Sequence, residues 1–288
     1  MLARPAILLE IVSVMHRKQD DYKNMDLQLN GKHALVTGST AGIGLAIAKV
    51  LASEGAQVTL NGRTGERVLA AAEAIRAEFP NAILNSYVGD LSQAGQVAAL
   101  TSAFAHVDIL VNNLGVYEAK PFEEITDADW HSIIETNFMS GLRLSRYYLP
   151  RMKKSGWGRI IFVSSESAVN IPAEMIHYGV TKTMQVALAR GLAETTKGTA
   201  VTVNSILPGP TRSEGVEGFV KGMALSRNVK PEVVEKEFFE NVRPSSLLQR
   251  FGTVDEIASM VAYVSSPRSS ATNGAALRVD GGVVRSIL

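Results

Sequence analysis

A chain of 288 residues that is 46% hydrophobic and 20% charged can bury a large core, which excludes disorder of its main body. Its 29 Lys plus Arg against 28 Asp plus Glu leave a net charge of +1, so no global field draws it to nucleic acid or to an anionic membrane. The absence of cysteine excludes disulfides, thiolate nucleophiles and cysteine-ligated metals, and His16, His33, His106, His131 and His177 lack the spacing of a helical metal site. A reducing, cytoplasmic setting without a resident metal is the expectation.

In chain order, the first two dozen residues carry an apolar run. Glu10 interrupts it, no small-residue cleavage pattern follows, and it is too short to span a bilayer. Residues 1–25 are expected to be a mobile or translational extension, with a packing or oligomer arm as the alternative. One folded unit is expected over 26–288.

From there short apolar runs alternate with longer helical ones. Strands are expected at 32–38, 56–62, 82–90, 107–113, 158–165, 200–209 and 276–282. Helices are expected at 42–55, 64–79, 94–105, about 127–153 and around Tyr178. Strands this apolar are buried on both faces, and each crossover is long enough to hold a helix. The fold class expected is α/β, a Rossmann-type, doubly wound, seven-stranded parallel sheet. Residues 212–250 interrupt the pattern with helical pieces after the end of a strand, where α/β folds bind ligands, so they are a candidate lid over the substrate. Phe219, Val220, Met223, Phe238, Phe239, Leu247 and Leu248 in this segment could line an apolar pocket, pack the segment's own helices, or form an oligomer contact.

After the first strand comes TGSTAGIG, with Gly38, Ser39, Thr40, Gly42, Ile43 and Gly44. Glycines at a strand-to-helix turn let the backbone approach a pyrophosphate, and the helix N-terminus offers free N–H groups and a positive dipole end. The spacing differs from the common G-x-G-x-x-G fingerprint, and a tight turn with packing glycines is the alternative. The second strand ends in VTLNGR, where a dinucleotide fold presents its ribose-reading residue. Asn61 stands there in place of an acid, and Arg63 follows two residues on. An arginine can pair with a 2′-phosphate, which favours NADP(H) over NAD(H); a solvated arginine at a helix start is the bland alternative.

Taken together, these segments resemble the classical short-chain dehydrogenase/reductase family over about residues 27–282. TGSTAGIG fits that family's TGxxxGxG loop, and Asp90 and Leu91 in VGDLS fit its adenine-contacting acidic segment. Asn112, Asn113, Leu114 and Gly115 fit its NNAG segment, with Leu114 as a departure beside the cofactor wall. Asn137, the serine-ended strand GRIIFVSS, Tyr178 and Lys182, then Pro208, Gly209 and Thr211, and finally RVDGG complete the match. The resemblance implies hydride transfer between a nicotinamide and a carbonyl or secondary alcohol, and assembly as a homodimer or homotetramer. Candidate substrates are 3-oxoacyl thioesters, small ketones and cyclic alcohols.

Tyr178 and Lys182 share a helix face because residues four apart are neighbours. Bringing a phenol from a pKa near 10 to neutrality takes about three units, or about 4 kcal/mol, and one charge at about 4 Å supplies that at an effective dielectric of about 20. Tyr178 is therefore the candidate general acid and base, with Lys182 as its charge. Ser165 ends a strand where its hydroxyl can stabilise the substrate oxygen. The family's serine-to-tyrosine interval selects Ser165 over Ser164. The resemblance further assigns Asn137 to a water linking the lysine to solvent and Thr211 to the nicotinamide carboxamide. A cofactor-binding scaffold or redox sensor without turnover is the alternative, which an intact Ser165, Tyr178 and Lys182 disfavour.

Overall fold

The computed structural model describes residues 25–287, so the expected N-terminal extension lies, apart from Met25, outside the described residues. The alternating runs become β1 (His33–Val36), α1 (Gly42–Ser53), β2 (Gln57–Gly62), α2 (Gly65–Glu78), β3 (Leu84–Val88), α3 (Ala94–Ala103) and β4 (Ile109–Asn112). Then follow α4 (Asp127–Ile134), α5 (Ser140–Ser155), β5 (Gly158–Val163), α6 (Ile176–Glu194) and β6 (Val201–Pro208). The last part holds β7 (Thr211–Arg212), α7 (Glu214–Ser226), α8 (Pro231–Glu237), β8 (Gly252–Thr253), α9 (Val254–Ser265) and β9 (Ala276–Val279).

A 7-stranded sheet runs in the order β3-β2-β1-β4-β5-β6-β9 with every neighbouring pair parallel. This is the doubly wound Rossmann-type sheet expected from the strand and crossover pattern. Side chains alternate across a strand, so each central strand feeds two cores. Ala34, Val36, Ile109, Val111, Ile161 and Val163 face α1, α2 and α9, whereas Leu35, Leu110, Ile160 and Phe162 face α3, α5 and α6. Each fully buried Leu, Ile or Phe contributes about 1.5–3 kcal/mol relative to exposure. Small residues on α1 and α9, such as Ala48, Ala52, Ala258 and Ala262, let those two helices approach closely within the first core.

The strand order reverses between β1 and β4, and their carboxyl ends are tied together there. Thr37 Oγ1 accepts the N–H groups of Asn113 and Leu114, both at 2.9 Å, and Asn113 Nδ2 donates to the carbonyls of Thr37 at 3.0 Å and Gly38 at 3.1 Å. In a doubly wound sheet this crevice is where a dinucleotide lies.

Two departures from the expected elements matter for the site. The single helix expected over about 127–153 is divided by a π-helical turn, Glu135–Met139, which carries Asn137. Such turns widen the hydrogen-bond ladder and free groups for other partners. The second departure is a small two-stranded parallel ladder, β7 with β8, pairing Thr211 with Gly252 and Arg212 with Thr253. It clamps the two ends of the segment expected as an insertion. Inside that segment Val220, Ala224, Val234, Phe239 and Phe251 form a third core, against which Met223 and Phe238 pack. Of the apolar residues left open by the sequence, Phe219, Leu247 and Leu248 remain exposed.

Candidate active site

The loop between β1 and α1 is shaped for close approach of an anion. Gly38 and Gly42 take left-handed backbone angles, φ 60° and φ 54°, which favour glycine. At Gly44 a methyl group would overlap the Gly38 carbonyl oxygen and Asn113 Nδ2, so the helix can seat against the loop only without a side chain there. The helix start has no side-chain cap and no acidic residue in its first turn, so its N–H groups are open to a phosphate. Thr40 and Ile43 are half-buried at the same turn. These features fit the pyrophosphate of a nicotinamide dinucleotide.

Two residues expected at the cofactor surface turn inward. Ser39 is fully buried, its Oγ accepting the Asn61 N–H at 2.9 Å, and it braces the loop rather than facing the cleft. Leu91 is buried in the second core. Leu114 packs against that same core, so its added bulk is absorbed there. Asn61, where an acid would read a ribose, is itself consumed: Oδ1 accepts from Gly38 N–H at 3.2 Å, and Nδ2 donates to the carbonyls of Tyr87 at 3.3 Å and Gly89 at 3.1 Å. Arg63 is exposed just beyond β2 and enters no ion pair among the described residues. Asp90 is half-buried and accepts the Ser92 N–H at 3.0 Å and hydroxyl at 2.8 Å.

Ser164 and Ser165 follow β5, and their hydroxyls have different tasks. Ser164 Oγ donates to the Lys182 main-chain carbonyl at 2.9 Å, tying the strand to α6. Ser165 caps the turn Glu166–Ala168, its Oγ accepting the Ser167 N–H at 3.1 Å, and it lies near enough to the Tyr178 phenol to lower its pKa. The structure thus brings Ser165, Tyr178 and Lys182 together, as the sequence led one to expect. Burial pushes the Tyr178 phenol up to about 12, with Glu166 and Tyr117 adding to the rise and Ser165 opposing it. Lys182 is not among the groups that offset this rise.

The reason lies in where the ammonium points. Lys182 is 4% exposed, and its Nζ donates to the Val163 carbonyl at 2.9 Å and to Gln185 Oε1 at 3.3 Å, 5.6 Å from the Tyr178 ring centroid. Burial brings this ammonium down to about 7. Gly115 backs onto it: a methyl there would lie 3.3 Å from Nζ.

Asn137 closes the group. Its Oδ1 accepts the Val116 N–H at 2.8 Å, while Nδ2 donates to the Val116 carbonyl at 2.9 Å and to Thr181 Oγ1 at 3.0 Å. Its main-chain carbonyl accepts from the Gln185 side chain. At the end of β6, Gly209 N–H donates to the Val279 carbonyl at 3.0 Å beside Pro208, and the buried Thr211 hydroxyl donates to the Gly209 carbonyl at 2.8 Å. Thr37, Thr181 and Gln185 escape sequence reasoning because their partners are distant in the chain. His177 is buried against Trp130, with ring centroids 6.0 Å apart, and takes no part in the group.

Tyr117 stands edge-on to Tyr178 with ring centroids 6.1 Å apart, and Val116, Val169 and Ile171 are exposed apolar residues. Among the described residues no group of three or more acidic or histidine side chains can hold a metal, and no helix is long and apolar enough to cross a membrane.

A glycine-lined anion loop at a sheet reversal, joined to a serine at a strand end and a tyrosine and lysine on the helix beside it, defines a dinucleotide-dependent oxidoreductase. The short chain dehydrogenase family profile matches residues 32–223, and the chain belongs to that family of NAD(P)-dependent enzymes. It is 46% identical to the uncharacterized oxidoreductase YvaG of Bacillus subtilis, covering 91% of this chain and 100% of the relative. It is 35% identical to a D-beta-hydroxybutyrate dehydrogenase of Cupriavidus necator, covering 89% and 99%. The L-sorbose reductase of Gluconobacter frateurii, solved with NADPH and L-sorbose, superposes with a TM-score of 0.86 at 29% identity, covering 91% of this chain and 100% of that one.

Proposed function

We propose that the protein interconverts a carbonyl and a secondary alcohol with NADP(H), Tyr178 moving the proton with the help of Ser165 and Lys182. The observation that carries this reading is the convergence of Ser165, Tyr178 and a buried Lys182 at the end of β5 and the start of α6. The bound dinucleotide supplies or accepts the hydride. In the reducing direction the Tyr178 hydroxyl donates its proton to the substrate oxygen while Ser165 hydrogen-bonds that oxygen. Lys182 supplies positive charge for the phenolate that results, and Asn137 holds the loop of Val116 against Thr181 on the same helix.

Gly38, Thr40, Gly42, Ile43 and Gly44 would cradle the pyrophosphate, Asp90 the adenine, and Asn113, Gly115, Pro208, Gly209 and Thr211 the nicotinamide half. An exposed Arg63 without an ion pair among the described residues, beside a consumed Asn61, supports a 2′-phosphate partner, hence NADP(H). The segment from β7 to β8, with its own core and exposed Phe219, would cover the substrate as a lid. The exposed Tyr117 beside Tyr178 and the relatives acting on a hydroxyacid and a ketose support small ketones and their alcohols as substrates.

The test is NADPH consumption by the purified protein over a panel of small ketones, β-keto thioesters and cyclic ketones. Turnover is expected on at least one, with Tyr178→Phe lowering kcat by about 10²–10⁴-fold at unchanged fold. A Tyr178→Phe variant as active as the wild type, or cofactor binding with no turnover on any member, would overturn the reading.

A further inference from the structure

We propose that Gln185 is a positioning residue for Lys182, a carboxamide that holds the ammonium charged and in place by spanning from it to the main-chain carbonyl of Asn137. The inference rests on reading Tyr178 and Lys182 as a working pair. Gln185 is 1% exposed and lies one helical turn beyond Lys182 on α6. Its Oε1 accepts from Lys182 Nζ at 3.3 Å, and its Nε2 donates to the carbonyl oxygen of Asn137, on the π-helical turn of the facing element.

The two neighbours fix which way the amide lies. An ammonium only donates and a carbonyl only accepts, so the reverse orientation would set NH₂ against NH₃⁺ and oxygen against oxygen. A carboxylate at 185 would satisfy the lysine and repel the carbonyl, and an aliphatic side chain would satisfy neither.

The need for such a residue follows from the surroundings. The titratable groups near this end of α6 are Tyr178 and the buried His177 on the same helix, Tyr117 from the loop after β4 and Glu166 from the turn after β5. None of them forms an ion pair with Lys182, whose hydrogen-bond partners among the described residues are the neutral oxygens of Val163 and Gln185. With so little to offset desolvation, one acceptor is a large fraction of what keeps the charge. Gln185 thereby ties the charge of the proton-moving unit to the turn that also carries the Asn137 side chain. A carboxamide passes protons poorly, so its part is to hold Lys182.

The experiment is an NMR titration of the full chain labelled with ε-¹³C lysine, with Lys182→Met identifying the Lys182 signal. Gln185→Met removes the acceptor and is expected to move the Lys182 midpoint down by about one pH unit; Gln185→Glu offers a carboxylate and is expected to move it up by at least as much. A purely packing role would give no shift or shifts of one sign, and either result overturns the proposal. Should one variant fail to fold, the sign of the other decides. The readout does not depend on turnover, so failure of the Tyr178→Phe test would leave it standing as a separate result.

Discussion

Burial of Lys182 to 4% exposure brings its ammonium down to about 7, because desolvation penalises the charged form and no carboxylate offsets it. The unfolded chain holds that proton up to a pKa of about 10.4, so between the two values it binds more protons than the folded protein and stability rises with pH. Below the folded value the whole cost is present. Lys182→Met is therefore expected to stabilise the fold by about 2–4 kcal/mol near pH 6, an advantage that shrinks towards zero above about pH 10.5, while activity is lost. Urea denaturation at about pH 6 and about pH 10 checks this; a variant less stable than the wild type at both would refute it. That Lys182 shares a helix face with Tyr178 was legible from their spacing alone. Where its ammonium points was not, because Val163 had to be brought up against it by folding.

Between elements, the segment from β7 to β8 is joined to the catalytic turn by Arg243, whose Nε donates to Glu166 Oε1 at 3.0 Å. Both side chains are buried, and Glu166 Oε2 has no hydrogen-bond partner among the described residues; burial keeps the Glu166 carboxyl above its ordinary range even with Arg243 beside it. Glu166 directly follows Ser165, and this pair links any movement of the segment to the serine. Arg243→Met would leave a buried carboxylate without its cation and is expected to cost about 3–5 kcal/mol, whereas adding Glu166→Gln should recover part of that loss. Chemical denaturation of the single and double variants measures the coupling; identical stability for the two would remove it. Nothing in the local spacing of SSESA or NVRP announces this pair. The π-helical turn was equally hidden, since its residues continue the helical pattern on both sides and only its tertiary partners identify it.

At the scale of the molecule, the proposed reading has the crevice between β1 and β4 and the segment beyond β6 share one ligand, so binding should stabilise the whole fold by mass action. At about 100 times its Kd, NADPH is expected to add about 2.7 kcal/mol, or roughly 5–10 °C in Tm for a protein of this size. NADH at the same concentration should give a clearly smaller rise, and Arg63→Ala should bring the two together. Thermal melts of wild type and variant settle the point, and equal shifts for both cofactors in the wild type would remove the 2′-phosphate role from Arg63. The sequence by itself determined the strand order's raw material, the glycine turn and the serine, tyrosine and lysine, because each is written in local periodicity or in short spacings that a helix or turn translates directly. Only the tertiary structure decided that Ser39 and Leu91 turn inward, that Ser164 ties down α6 while Ser165 meets Tyr178, and that Gln185 reaches the Asn137 carbonyl. Those outcomes depend on burial and on hydrogen bonds between groups far apart in the chain, and such partners are chosen by packing the layers together.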